Sequence, residues 1–409
     1  MKMSSRRVVH SFPWLVLFAV ITVVTDSLVW GASPGAPILS NDYKLDVTRT
    51  VATGSTRKIA LGGAYTGVSE GNAALSDNPA AVAYRPRAFM APWEFDMVLG
   101  ALATGDDDTD NSGSTSLIYA DPVLMDVGIM AQYENFGIGY LAQMSVVTSE
   151  SLPQDQEAQF LSGSAAIGYT SDNRELAFGA SLDQVGARVH PMNSHDPRSF
   201  QLTGLGYSAG VLWHPQRGAW RFGAAYHSGM SSNEGLPPSS VPITVGNLIV
   251  PNGVLETNSL SVGTAYEWND FPMWRGRSAL ASVELKTFGP SPSDANGTSA
   301  FLTQTMDPVG QERITTLHGG LEVEAIPTRL RLRAGTYYEP SRYEGIDARE
   351  HLTGGFEVRL FKFNLWGDRH LSFSYAVDVA ARYQVQSFSI WLWSFTVPVP
   401  VPVPDAGAS

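Results

Sequence analysis

A side-chain alternation of period two recurs from residue 94 to residue 397, and it constrains this chain more than any other feature. In the stretch 220–227, Trp220, Phe222, Ala224 and Tyr226 share one face, while Arg221, Gly223, Ala225 and His227 share the other. Leu176, Phe178, Ala180 and Leu182 alternate in the same way with Gly179, Ser181 and Asp183. Leu371, Phe373, Tyr375, Val377 and Val379 alternate with Ser372, Ser374 and Asp378. Successive side chains of a strand point to opposite faces, so each stretch has one greasy face and one small, polar or charged face. A soluble sandwich shows the same alternation, and the connections separate the two cases. Fourteen strands are read: 94–104, 123–134, 137–149, 157–171, 175–189, 200–214, 218–230, 255–268, 277–288, 312–325, 328–339, 350–363, 370–383 and 386–397. Connections after strands 1, 3, 5, 7, 9 and 11 are mostly long, as in 105–122, 231–254 and 289–311. Those after even-numbered strands are mostly tight, as at Asn135-Phe136, Asp172-Asn173-Arg174 and Ile326-Pro327. The connection after strand 13 is short and breaks the rule once. An even strand count with long loops at one end and tight turns at the other predicts an all-β, antiparallel transmembrane barrel of fourteen strands. A propeller would show a repeat of about 40–50 residues, which this sequence lacks.

Composition agrees. Charged residues make up 16% of the chain, against about 25% in ordinary globular proteins. Beyond the N-terminus there is no run of about 20 apolar residues able to cross a bilayer as a helix. The net charge of −12 speaks against nucleic acid as a partner, which calls for a basic face. The absence of cysteine excludes disulfides, thiolate metal sites and thiol nucleophiles. Lys2, Arg6 and Arg7, an apolar stretch over 15–24 and the small residues Gly31, Ala32 and Ser33 have the layout of a cleaved export signal. The expected organisation is a signal peptide (1–32), an N-terminal extension (33–56), a hatch inside the barrel (57–90), the barrel (91–397) and a Pro-rich periplasmic tail (398–409). In the tail, alternating proline forbids a ladder strand and favours polyproline II.

One hairpin allows a register to be tested. A two-residue turn at Ile326-Pro327 places Glu324 opposite Arg329 and Glu322 opposite Arg331, with Val323 and Leu321 facing Leu330 and Leu332. Opposite charges then pair on one face and aliphatics on the other. An arginine facing lipid at mid-membrane costs about 2–4 kcal/mol, so Glu322, Glu324, Arg329, Arg331 and Arg333 are assigned to the lumen. In this register Arg333 lies opposite Gly320, carries no acidic partner and is the candidate for a ligand carboxylate.

Residues 57–85 read RKIALGGAYTGVSEGNAALSDNPAAVAYR and lack the alternation. Gly62, Gly63, Gly67 and Gly71 give a tight backbone, and Pro79 interrupts an alanine-rich stretch. This run, ending in Asn78-Pro79-Ala80 just before the first strand, resembles the N-terminal hatch of the FadL family of outer-membrane transporters for hydrophobic compounds. The close resemblance covers about 30 residues, and the strand count extends it to the barrel at the level of architecture. It implies a plugged barrel that passively moves long-chain fatty acids or similar apolar molecules across the outer membrane. It also implies gating residues at Gly62, Gly63, Asn78, Pro79 and Ala80, with Asn78-Pro79-Ala80 resting near strand 3, and lateral exit at a strand-3 kink, matched here by Gly137 and Gly139. The partners implied are a hydrophobic ligand (fatty acid or hydrocarbon), outer-membrane lipid and the barrel assembly machinery, with no cofactor and no metal. Related barrels with this motif serve aromatic hydrocarbons or act as secretion partners, so a structural or secretion-partner role is the alternative.

Three further patterns resemble reactive or metal-binding motifs but lack the context such chemistry requires. Gly206-Tyr207-Ser208-Ala209-Gly210 matches G-x-S-x-G, but that nucleophile requires a strand-to-helix turn and this one lies mid-strand. A phospholipase barrel needs a Ser–His pair at the lipid-facing wall, whereas His227, His318 and His351 are expected to face inward. Asp106-Asp107-Asp108-Thr109-Asp110-Asn111 lacks the glycine and glutamate of an EF-hand loop and reads as a solvated acidic tip. The chain is accordingly not read as an enzyme.

Overall fold

The alternating segments pair into one closed antiparallel barrel of fourteen strands. The computed structural model describes residues 35–84, 92–104, 108–113, 123–149, 156–191, 200–215, 218–232, 241–246, 248–364 and 368–393. The expected export signal and Pro-rich tail, residues 85–90 of the expected hatch, and Asp106 and Asp107 lie outside these. In chain order the barrel strands are β1 (Trp93–Thr104), β2 (Val123–Tyr133), β3 (Phe136–Ser149), β4 (Gln156–Thr170), β5 (Leu176–Pro191), β6 (Phe200–Trp213) and β7 (Trp220–His227). They continue with β8 (Ser259–Trp268), β9 (Ala279–Phe288), β10 (Ile314–Ile326), β11 (Leu330–Glu339), β12 (Arg349–Asn364), β13 (Asp368–Ala380) and β14 (Tyr383–Trp393). Each strand pairs with its sequence neighbour, and residues 97–104 of β1 against 385–392 of β14 close the ring. Closure leaves no unpaired edge, which is the condition for spanning hydrocarbon with strands.

The two faces sort as the alternation requires. Phe178, Leu182, Trp220, Phe222 and Tyr226 are exposed on the outside, with Phe373, Tyr375 and Val377 half-exposed. Their neighbours Ala177, Ser181, Asp183, Ala225, Ser372, Ser374 and Asp378 are buried within. His318 and His351 are buried on the inward side, and His227 belongs to the same face.

The β10–β11 hairpin keeps the expected faces but not the expected partners. Glu322 pairs with Arg333 and Glu324 with Arg331, while Val323 faces Leu332. The turn takes three residues, Pro327 to Arg329, with Thr328 at φ +62° and a register irregularity between Glu324 and Ile326. The longer turn slides the ladder by two residues, which preserves every face because the side-chain period is also two. Arg329 therefore sits exposed in the turn rather than in the lumen, and Arg333 has acidic partners after all.

Residues 55–84 touch inward faces around the ring. Ser55 caps the helix Thr56–Ala60, its Oγ accepting from the Lys58 N–H at 3.2 Å. Short 3₁₀ turns follow at Asn72–Ala74 and Pro79–Val82. Where this backbone meets the wall, the wall carries glycine. A Cβ at Gly137, Gly179, Gly223, Gly320 or Gly335 would collide with the carbonyls of Val82, Pro79, Thr66, Leu61 and Leu61 respectively. The lumen glycines of the strands are thus the places where a second backbone lies against the sheet. Gly137 and Gly139 bring no register shift: β3 pairs regularly with β2 over 136–146 and with β4 over 136–149.

Residues 35–54 occupy the long-loop end. The short strand Lys44–Asp46 pairs in parallel with residues 253–255 and with Ala295 and Asn296. Ile38, Tyr43, Leu45 and Val47 pack with Phe160, Val185, Leu202, Leu248, Val254 and Phe301 in an apolar cluster. From there the chain runs through Arg49 and Thr50 to the helix Thr56–Ala60, and leaves at the tight-turn end toward β1.

Candidate functional site

Two adjoining cavities lie between residues 47–53 and the wall. One, of about 140 Å³, is bounded by Val51, Lys58, Asp77, Leu141, Phe160, Met230, Glu256 and Lys286, among others. The other, of about 110 Å³, is bounded by Val51, Leu102, Leu124, Val147, Phe160, Leu302 and Tyr383, among others. Val47, Arg49, Thr50, Val51, Thr53, Leu124 and Phe160 belong to both. An apolar cavity of about 150 Å³ accepts one benzene-sized ring, so each void is on the scale of a single ring and far below that of an extended acyl chain.

Below the cavities, the irregular backbone of 55–84 finds its partners on wall side chains. Glu284 accepts the N–H groups of Tyr65 (2.8 Å) and Thr66 (2.6 Å), and Asp96 accepts that of Asn72 (2.8 Å). Gln132 donates to the carbonyls of Val82 (2.7 Å) and Tyr84 (3.0 Å), Thr353 to that of Ala60 (3.1 Å) and His318 Nδ1 to that of Gly62 (2.7 Å). Asn78 supplies both kinds of bond. Its Oδ1 caps the 3₁₀ turn by accepting from Ala80 N–H at 3.0 Å, and its Nδ2 donates to the Val211 carbonyl at 3.1 Å. The proline that follows restricts Asn78 to extended backbone, observed at φ −153° and ψ 108°. The expected contact of Asn78-Pro79-Ala80 with strand 3 is corrected accordingly: Asn78 and Pro79 lie against β5 and β6, and Leu75 and Val82 face β3.

A buried ion network fastens the segment at the tight-turn end. Arg57 donates to Glu70 (2.7 Å) and through Nε to Glu322 (2.9 Å). Arg221 holds Glu70 and, at 2.6 Å, Glu267. Arg333 holds Glu322 at 2.6 Å and also Glu357. Arg333 is therefore consumed by structure, and the ligand-carboxylate role expected for it does not hold. Arg331 approaches Glu322 at 3.5 Å, and Glu324 accepts from Ser278 and the Thr328 N–H. The ladder expected on β10 and β11 exists, but it serves Arg57 and Glu70, which no sequence motif marks. Their signal was nonetheless present: an arginine and a glutamate inside a run of mostly small residues, and Arg221 beside Gly223 and Ala225 on a lumen face. Burial alone would push the Glu70 carboxyl up; Arg57 and Arg221 together overcome it and hold it at about 2.

Ser208 lies within hydrogen-bond distance of His227 Nδ1 (2.7 Å) and also donates to Asp183, while His227 Nε2 faces the Asp77 carbonyl. The serine stands between acid and imidazole, so no carboxylate orients the histidine as a triad requires. The described part of the acidic loop, residues 108–113, is not a solvated tip. Asp108 accepts the N–H groups of Ser112 and Gly113, both at 2.8 Å, and Asp110 accepts from the Tyr343 hydroxyl at 2.8 Å.

Glu70→Gln should release the segment from Arg221 and half of Arg57. Breaking a buried pair typically costs about 3–5 kcal/mol. In the wild type, the contribution of Glu70 is complete above its ordinary value near 4.5 and disappears as pH falls toward 2. Protease cleavage within 55–84 of the folded barrel should therefore rise in the wild type as pH drops through this window. In the variant it should already be high at pH 7.

Neither a family model nor a curated protein sequence matches this chain. Among solved structures it is similar to the CymD monoaromatic hydrocarbon channel, with TM-score 0.52 and 13% identity over 86% of this chain and 100% of that one. It is also similar to the toluene transporter TodX of Pseudomonas putida, with TM-score 0.50 and 15% identity over 86% of this chain and 100% of that one. At such identities the likeness is one of fold, and it bears out the FadL-like barrel architecture expected from the sequence.

Proposed function

We propose that this chain is a passive, non-enzymatic outer-membrane transporter of small hydrophobic molecules, in which residues 55–84 close the lumen to ions. The observation that carries this reading is the interior. A general porin keeps a wide polar channel, whereas this barrel holds a hydrogen-bonded second backbone and two ring-sized cavities. The channels of like fold are described as carrying monoaromatic hydrocarbon and toluene, and the cavity volumes favour compounds of that size over long-chain fatty acids. A structural or secretion-partner role would leave these cavities without a purpose.

For lateral exit we favour the β7–β8 seam over strand 3. The ladder there pairs Met230 with Glu256 and His227 with Ser259, leaving Ser228-Gly229 opposite Thr257-Asn258 outside the pairing. Met230 and Glu256 also bound the larger cavity. A Cβ at Gly229 would lie 3.5 Å from the Asn258 backbone nitrogen, so cysteines at 229 and 258 stand within the span of a short bifunctional thiol reagent. The chain has no cysteine of its own. A Gly229→Cys, Asn258→Cys double variant in cells should take up radiolabelled toluene at the wild-type rate before the two thiols are bridged by such a reagent and at the background rate afterwards. Uptake indifferent to bridging places the exit elsewhere, and wild-type uptake no faster than in cells lacking the protein removes the transport reading.

Asn78 is proposed to gate the segment through its paired bonds. Asn78→Ala removes a cap worth about 1 kcal/mol and should lower uptake several-fold at normal barrel levels, with heat-modifiable gel mobility unchanged. Unchanged uptake would leave Asn78 a purely structural role.

A further inference from the structure

We infer that Arg49 is the polar anchor of a binding site for small aromatic monocarboxylates inside the barrel. The inference rests on the transport function proposed above and names a ligand class for the same cavities. Arg57, Arg221, Arg333, Arg342 and Arg349 each hold at least one carboxylate. Arg49 faces both cavities and has no hydrogen bond or ion pair to any described residue.

The nearby acids are committed elsewhere or stand off. Asp46, three residues away, is gripped by Arg342 through both oxygens (3.0 and 2.8 Å) and by Ser291. Glu339 is held by Arg349, His351 and Thr50. Asp183 takes the hydroxyls of Ser164, Ser181 and Ser208, and Glu284 takes two backbone N–H groups. Glu256, which lines the larger cavity together with Arg49, makes no ion pair with it, and burial pushes the Glu256 carboxyl up to about 7.

A guanidinium presents up to five N–H donors in a rigid fork suited to a carboxylate. Here the fork reaches no acceptor among the described residues, although Asp77, Asp183, Glu256 and Glu284 line the larger cavity, and beside it stand Val51, Leu124 and Phe160, which bound both cavities. A ring of one-cavity size can lie on those side chains while its carboxylate takes the fork in two parallel bonds. The fork pairs one carboxylate, and a second charge buried in the same ring-sized space would lack a second fork, so the site selects monoacids over diacids. Hydrocarbons fit the same space without engaging Arg49.

The test is titration calorimetry on the detergent-purified full-length protein with benzoate, phthalate and toluene, using wild type, Arg49→Gln and Arg49→Lys. Benzoate should bind wild type, phthalate should bind at least several-fold more weakly, and Arg49→Gln should weaken benzoate by roughly tenfold or more, the effect of losing a charged hydrogen bond. Arg49→Lys should fall between. Toluene binding should be equal in all three proteins, which also shows that the variants retain the cavity. Benzoate binding equal in wild type and Arg49→Gln overturns the inference, as does phthalate matching benzoate. Toluene binding without any benzoate binding overturns it while leaving the transport reading intact, and failure of both ligands overturns the two together.

Discussion

A second backbone inside a closed barrel must find hydrogen-bond partners that the wall cannot give from its own ladder, and the rest of this structure follows from how that need is met. Every strand already spends its N–H and C=O groups on its neighbours. Residues 55–84 therefore draw on lumen side chains: Glu284, Asp96, Gln132, Thr353 and His318 each serve one or two backbone groups of the segment. Unpaired buried backbone groups are rare because each costs about as much as a lost hydrogen bond. The polar lumen residues that the alternation produces are in this sense the complement of one irregular segment, and the wall glycines are where that segment comes closest.

This arrangement separates two kinds of interior. Toward the tight-turn end, charges meet charges: Arg57 and Glu70 on the segment mesh with Arg221, Glu322 and, through Glu322, Arg333 on the wall. Such a network is costly to open from one side only, since removing a partner strands a buried charge. Toward the long-loop end, residues 35–47 form an apolar cap over the two cavities, tied down by the buried Asp46–Arg342 pair. Between the two, mixed apolar and polar walls enclose free volume on the scale of a small ligand, and Arg49 sits there. The outward step from geometry to transport depends on this layering: a charged base, an apolar cap and a small pocket between.

The fold was legible because a membrane barrel has a single code, period two with sorted loops, and β1 to β14 follow it strand by strand. Faces were readable even where partners were not. The β10–β11 hairpin kept Glu322, Glu324, Arg331 and Arg333 on the lumen side despite a two-residue slide, because a shift by two is invisible to alternation. What could not be read was contact between elements distant in sequence. Arg333 looked unpaired because the longer turn, unmarked in the sequence, brings Glu322 opposite it, and because Glu357 lies on the next strand, β12. Gly137 looked like a kink because nothing in β3 itself reveals that the Val82 carbonyl lies against it. Arg49 carried no motif at all. Its distinction is the absence of partners among the described residues, which only the assembled interior displays.

The central claim is that the barrel interior is closed to ions while holding room for one small apolar body. Current recorded across a planar bilayer containing the purified full-length protein tests it most directly. The account predicts no steady ohmic conductance at moderate voltage. Discrete, long-lived conductance steps of the size produced by an open porin would show that residues 55–84 do not close the lumen, and would contradict it.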